Sequence, residues 1–102
     1  MNLLSFLGNG KIKQALRNGA VVIDVRTAYE FDQGHVPGSI NIPVDRIISN
    51  VERIKDMHKP IIFCCASGMR SGQATSIMKR NGLKEVYNGG SWQSVLRTIN
   101  KL

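Results

Sequence analysis

The sequence predicts an α/β fold, a small parallel β-sheet flanked by helices on both faces. Short β-branched apolar runs alternate with stretches whose apolar residues recur at helical spacing. Two runs, residues 20–25 (Ala-Val-Val-Ile-Asp-Val) and 60–64 (Pro-Ile-Ile-Phe-Cys), are apolar apart from one carboxylate, as expected of strands covered on both sides. Strand–helix alternation at this spacing leads to parallel pairing with helical crossovers. At 102 residues the chain is expected to form one domain over 1–102, with one modest core and no room for a separate cofactor-binding domain.

The first helix is placed at residues 11–17, where Ile12, Ala15 and Leu16 fall at i, i+3 and i+4, with Gly19 positioned to end it. The strand at 20–25 follows. Thr27-Ala28-Tyr29-Glu30 is a capping box, in which Thr27 caps a short helix and Glu30 reaches back to the cap; Gly34 closes that helix. Residues 39–42 read as a short strand stopped by Pro43. Ile47, Val51 and Ile54, at i, i+4 and i+7, predict one helix with Glu52 and Asp56 on its wet side. After the strand at 60–64 a Gly/Ser loop leads into a helix with Ala74, Ile77 and Met78 on its inner face and Gly82 at its end. Residues 85–87 form a last short strand before Gly89-Gly90. Trp92, Val95, Leu96 and Ile99 then line the inner face of a final helix, where core packing is the expected duty of Trp92.

Composition narrows the function. Hydrophobic residues at 42% and charged residues at 21% describe a folded chain rather than a disordered one. The longest apolar stretch, residues 61–66, is too short to span a bilayer, so no membrane partner is expected. Met-Asn-Leu-Leu-Ser-Phe-Leu-Gly lacks the positive region and apolar length of a signal peptide, and Asn2 breaks the myristoylation pattern. Cys64 and Cys65 are adjacent and cannot staple a loop, which fits a reducing, cytoplasmic setting. His35 and His58, with no second cysteine pair, form no zinc pattern. The net charge of +7 comes from basic residues scattered along the chain, with no run of four and no interleaved aromatics. A solvated basic surface is the first expectation from this pattern, a field for small anions or an acidic protein partner the second, and nucleic acid is not expected.

In open α/β sheets ligands bind beyond the carboxyl ends of the strands, which points to Asp24 and to the loop after Cys64. That loop reads Cys65-Ala66-Ser67-Gly68-Met69-Arg70-Ser71-Gly72, with a helix beginning near Arg70 or Ser71. A short small-residue loop entering a helix is an anion cradle: amides turn inward and the helix N-terminus adds positive partial charge. The same field favours thiolate over thiol, and Arg70 is expected to strengthen it. Cys65 is the candidate nucleophile. Ala66, Ser67, Gly68, Met69 and Arg70 are the candidate substrate-binding residues, with Arg70 touching the anion or bracing the loop. Asp24 and Arg26 are expected to support the site structurally. Cys64 reads as a small buried hydrophobe with an inert thiol. His35 and His58 are assigned no catalytic work.

Cys-x-x-Gly-x-Arg-Ser after a strand resembles the active-site loop of rhodanese-like sulfurtransferases. Val22-Ile23-Asp24-Val25-Arg26-Thr27, Glu30-Phe31 and Gly34-His35-Val36-Pro37-Gly38-Ser39-Ile40-Asn41-Ile42-Pro43 match that family's upstream signature, and Val86-Tyr87-Asn88-Gly89-Gly90-Ser91-Trp92 matches its closing one. The resemblance covers roughly residues 10–100 in motif order. It implies a rhodanese-like fold and a Cys65 persulfide. Sulfane sulfur would move from an anionic donor such as thiosulfate to cyanide, a small thiol or a protein cysteine, without metal or organic cofactor.

Two other readings stand beside it. Rhodanese-like domains also serve as non-catalytic interaction modules, often where the cysteine is missing, whereas Cys65 is present here. Cys64 to Arg70 also spells the Cys-x5-Arg spacing of cysteine-dependent phosphatases and arsenate reductases, with Phe63 where those phosphatases usually place His. A six-residue loop from Cys65 suits one sulfur atom better than a tetrahedral phosphoryl group.

Overall fold

A computed structural model describes residues 3–102; the leader and myristoylation readings at Met1 and Asn2 lie outside them. Four strands, β1 (Val21–Asp24), β2 (Ile40–Asn41), β3 (Ile61–Cys65) and β4 (Val86–Ser91), form one parallel sheet in the order β2-β1-β3-β4. Register places Ile23 beside both Ile40 and Phe63, and Ile61 beside Val86. The helices are α1 (Leu3–Arg17), α2 (Ala28–Asp32), α3 (Val51–Lys55), α4 (Met69–Arg80) and α5 (Trp92–Asn100). None among the described residues is long and apolar enough to cross a membrane.

The two-residue period of a strand divides the core into two layers. Ile61, Phe63 and Cys65 pack on the face that also holds Ile47, Ile54, Ala74 and Met78. Ile62 and Cys64 point the other way, toward Ala15, Val36 and Val95, with Leu16, Trp92 and Ile99 around them. Two neighbouring cysteines are thus buried under opposite faces of one sheet. Since all strands run parallel, their carboxyl ends, with Asp24 and Cys65, share one edge of the molecule.

Three expected boundaries shift. The single helix through Ile47, Val51 and Ile54 is instead two 3-10 turns, Val44–Arg46 and Ile48–Asn50, followed by α3. Local side chains explain the interruption. Ser49 Oγ and Asn50 Nδ2 both donate to the Arg46 carbonyl, and the Asn50 amide bonds to Ile47, so the turn tightens. Ile47 and Ile54 stay buried nonetheless. The last strand does not stop before the glycine pair but runs through it to Ser91, with an irregularity opposite Phe63–Cys65. Gly89 makes this close approach feasible: a Cβ there would lie 2.7 Å from Val95 Cγ2 and 2.8 Å from Ile62 Cγ2. Finally, α4 begins at Met69, a residue earlier than expected, after Gly68 turns the chain at φ +103°.

Candidate active site

The site grows from the end of β3. Cys65, the last residue of the strand, is only 1% exposed, and Gly68 turns the chain back over it. The Gly68 amide donates to Cys65 Sγ at 3.0 Å and the Ser71 amide at 3.4 Å, with Ser71 Oγ 3.3 Å from the same sulfur. Burial alone would push the thiol up. The Ser71 hydroxyl and the amides of Ser71, Gly68 and Ser67 outweigh it and hold Cys65 below the ordinary thiol value. Hydroxyl and amide hydrogen bonds are the leading causes of the depression, ahead of the Arg70 charge.

Ser71 joins the loop to β4. Its hydroxyl donates to Asn88 Oδ1 at 2.7 Å, while Asn88 Nδ2 donates to the Gly68 carbonyl and the Gly90 amide donates to Asn88 Oδ1. A hydroxyl has one hydrogen to give. While Cys65 is a thiol, its S–H donates to Ser71 Oγ and Ser71 donates on to Asn88. The same hydroxyl is within reach to donate to a Cys65 thiolate instead, and Asn88 Oδ1 also accepts from the Gly90 amide. Asn88 thereby keeps both the loop and the serine in place.

Of the two duties expected of Arg70, anion contact or bracing of the loop, its observed partner bears on the second. Its guanidinium is paired with Glu30, Nη1 to Oε1 at 2.7 Å and Nη2 to Oε2 at 3.1 Å, across the gap between α4 and α2. Glu30 also completes the capping box by accepting from the Thr27 amide. The Arg70 guanidinium first, and the Thr27 amide next, pull the Glu30 carboxyl down to about 2. Met69 projects its side chain into solvent at 82% exposure, and Ala66 and Ser67 are exposed beside it.

Asp24 and Arg26 lie beneath. Asp24 takes a bidentate pair of bonds from Arg26, Nε to Oδ1 at 3.0 Å and Nη2 to Oδ2 at 2.8 Å, and Arg26 also donates to the Gly34 carbonyl at 2.7 Å. The Arg26 guanidinium lies 5.2 Å from the centre of the Trp92 ring, so Trp92 is both a packing residue and a floor for this cation. Both ions are buried and tie the end of β1 to the Gly34 carbonyl. Cys64 is fully buried and pushed up to about 12 by its burial and then by the Asp24 charge. His35 bonds through Nδ1 to the Phe31 carbonyl and stacks on the Phe31 ring at 3.6 Å; His58 is exposed.

The sequence reading missed Ser71, Asn88 and the partner of Glu30. Ser71 stands in the loop motif, so a hydroxyl in the first turn of the helix is a usable signal. Asn88, 17 residues from Ser71, gave none.

A family model for the rhodanese-like domain matches residues 9–96. An uncharacterized protein, YqhL of Bacillus subtilis, is 38% identical over 69 residues, covering 68% of this chain and 54% of its own length. The thiosulfate sulfurtransferase GlpE of Pseudomonas syringae is 34% identical over 76 residues, covering 74% of this chain and 71% of its own. A solved structure, a rhodanese with anions from E. coli, superposes with a TM-score of 0.68 at 31% identity, covering 74% of this chain and 91% of that one. The chain thus spans about half the length of YqhL.

Proposed function

The chain belongs to the rhodanese-like domain family, and from that premise we propose that it is a sulfurtransferase carrying sulfane sulfur as a persulfide on Cys65. The observation that carries this reading is the convergence of the Gly68 amide, the Ser71 amide and the Ser71 hydroxyl on one sulfur at the end of β3. Three donors lower the cost of a thiolate, and the thiolate is the nucleophile.

The Cys65 thiolate attacks the outer sulfur of the donor. A new S–S bond forms, the donor's own S–S bond breaks, and the leaving group departs with the bonding pair. The persulfide is again anionic, and loop amides between Ala66 and Arg70 are its natural ligands. A thiol, cyanide or a protein cysteine then takes the outer sulfur and returns the thiolate. Cys64, buried on the opposite face with its thiol raised to about 12, does not compete for this role.

Intact-mass spectrometry tests the reading. After prolonged incubation with excess thiosulfate the chain is expected to gain one sulfur and to lose it on adding cyanide. Cys65→Ser should take none, and Cys64→Ala should load like the parent. Loading that survives in Cys65→Ser and disappears in Cys64→Ala would overturn the assignment.

A further inference from the structure

We propose that Asn88 is a positioning residue for the Cys65 nucleophile: its side-chain oxygen holds the hydrogen of the Ser71 hydroxyl away from the sulfur and yields it when negative charge arrives there. The proposal rests on the sulfurtransferase reading for its place in turnover, and on geometry for the hydrogen itself.

Groups of fixed polarity set the hydrogens of this network. The Gly90 amide can only donate, and it meets one end of the Asn88 side chain at 2.9 Å. The Gly68 carbonyl can only accept, and it meets the other end at 3.0 Å. The Asn88 oxygen therefore faces Gly90 and Ser71, and its amino group faces Gly68. That oxygen carries no hydrogen, so its 2.7 Å bond to Ser71 Oγ uses the serine's own. With that hydrogen committed, the 3.3 Å contact between Ser71 Oγ and Cys65 Sγ is left to the S–H of a neutral thiol. The help that Ser71 gives a thiolate is thus reduced by the bond to Asn88 that must break.

Asn88 is closely seated. A Cβ at Gly72 would lie 3.1 Å from its amino nitrogen. Its grip on the loop is duplicated, since the Gly68 carbonyl also accepts from the Gly72 amide at 2.9 Å. Its hold on the serine is not. Among the described residues, Cys65 and Asn88 are the two side chains bonded to that hydroxyl. Removing the Asn88 side chain therefore frees a hydrogen more than it loosens the loop.

Turnover uses both settings. In the persulfide, Sγ is bonded to the outer sulfur and the charge sits on that outer atom, so the serine hydrogen rests on Asn88. When cyanide or an acceptor thiolate bonds to the outer sulfur, the S–S bond breaks and its electron pair goes to Sγ. The hydrogen then turns to the returning thiolate.

The ionisable groups around Cys65 are engaged elsewhere. Arg70 and Glu30 pair across α4 and α2, Asp24 and Arg26 pair at the end of β1, and Cys64 and Tyr87 belong to the other layer of the core. Lys79 and Arg80 close the far end of α4. The Val44–Arg46 turn and α3, over the Cys65 layer, carry Asp45, Arg46, Glu52, Arg53 and Lys55, of which only Lys55 is part-buried.

The alkylation rate of Cys65 against pH tests the assignment. Asn88→Ala and Asn88→Leu, the second filling the space without an acceptor, should each lower the midpoint by about one pH unit. Asn88→Asp keeps the acceptor as a carboxylate, binds the hydrogen harder and should raise it. In a Ser71→Ala background, Asn88→Ala should shift the midpoint by less than about a third as much, as expected of a residue acting through the serine. A midpoint raised or unmoved in both Asn88→Ala and Asn88→Leu would overturn the proposal. So would a lowered midpoint in Asn88→Asp, or an equal Asn88→Ala shift with Ser71 absent. Failure of the parent chain to take sulfur from thiosulfate would overturn the sulfurtransferase reading instead, and would leave the midpoint result standing.

Discussion

The hydroxyl of Ser71 stands 3.3 Å from Cys65 Sγ and 2.7 Å from Asn88 Oδ1, so one serine oxygen links the nucleophile to the neighbouring strand. Because that hydroxyl supports the thiolate more than any other donor, Ser71→Ala should raise the Cys65 titration midpoint. Alkylation rate against pH reads it: the rate at neutral pH should drop several-fold and recover at higher pH. Arg70→Ala should move the midpoint less, because its charge already belongs to Glu30. A larger shift in Arg70→Ala than in Ser71→Ala would contradict this account.

Asp24 is fully buried and Arg26 nearly so, and each satisfies the other. Asp24→Ala strands a guanidinium inside the protein, and urea unfolding should show a loss of about 3–5 kcal/mol. The double change Asp24→Leu with Arg26→Met should recover much of it, since no charge then remains to be solvated.

Gly89 has no room for a methyl group between Val95, Ile62 and the Phe63 carbonyl, the last only 3.1 Å from where a Cβ would be. Gly89→Ala should cost about 1–3 kcal/mol through overpacking. Gly10, with nothing within 4 Å of its Cβ position, serves as the control and should tolerate alanine.

The Glu30–Arg70 pair has a definite acid signature. A carboxyl held at about 2 in the folded chain, against about 4.3 unfolded, stabilises the fold above the unfolded value and loses that contribution as pH falls toward 2. Both partners are about one-third exposed, so solvent screens the pair and its contribution should stay below about 1 kcal/mol. Urea midpoints of the parent and Glu30→Gln should therefore differ most above pH 5 and converge near pH 2. A difference that grows on acidification would reverse the sign and rule the linkage out.

Much of this protein is written in short-range pattern. The capping box at Thr27–Glu30 needs only residues three apart, and it forms as the pattern says. The apolar runs become β1 and β3 because a continuous β-branched stretch can be buried only inside a covered sheet. The Gly/Ser loop likewise falls between β3 and α4, where helix–loop spacing puts it.

Tertiary structure decided what depends on distant partners. Glu30 had one local task, and only the approach of α4 to α2 gave its carboxylate a second, at a residue 40 positions away. The irregular β3–β4 pairing carried the strand through Gly89 and Gly90 and brought Asn88 over the loop. The break at Ile48–Asn50 came from side chains competing with the backbone, which apolar periodicity does not record. Net charge was a property of the sequence. The parallel sheet set where Lys79, Arg80 and Arg97 lie, because α4 and α5 run back from the carboxyl ends of β3 and β4 and carry these cations in their last turns.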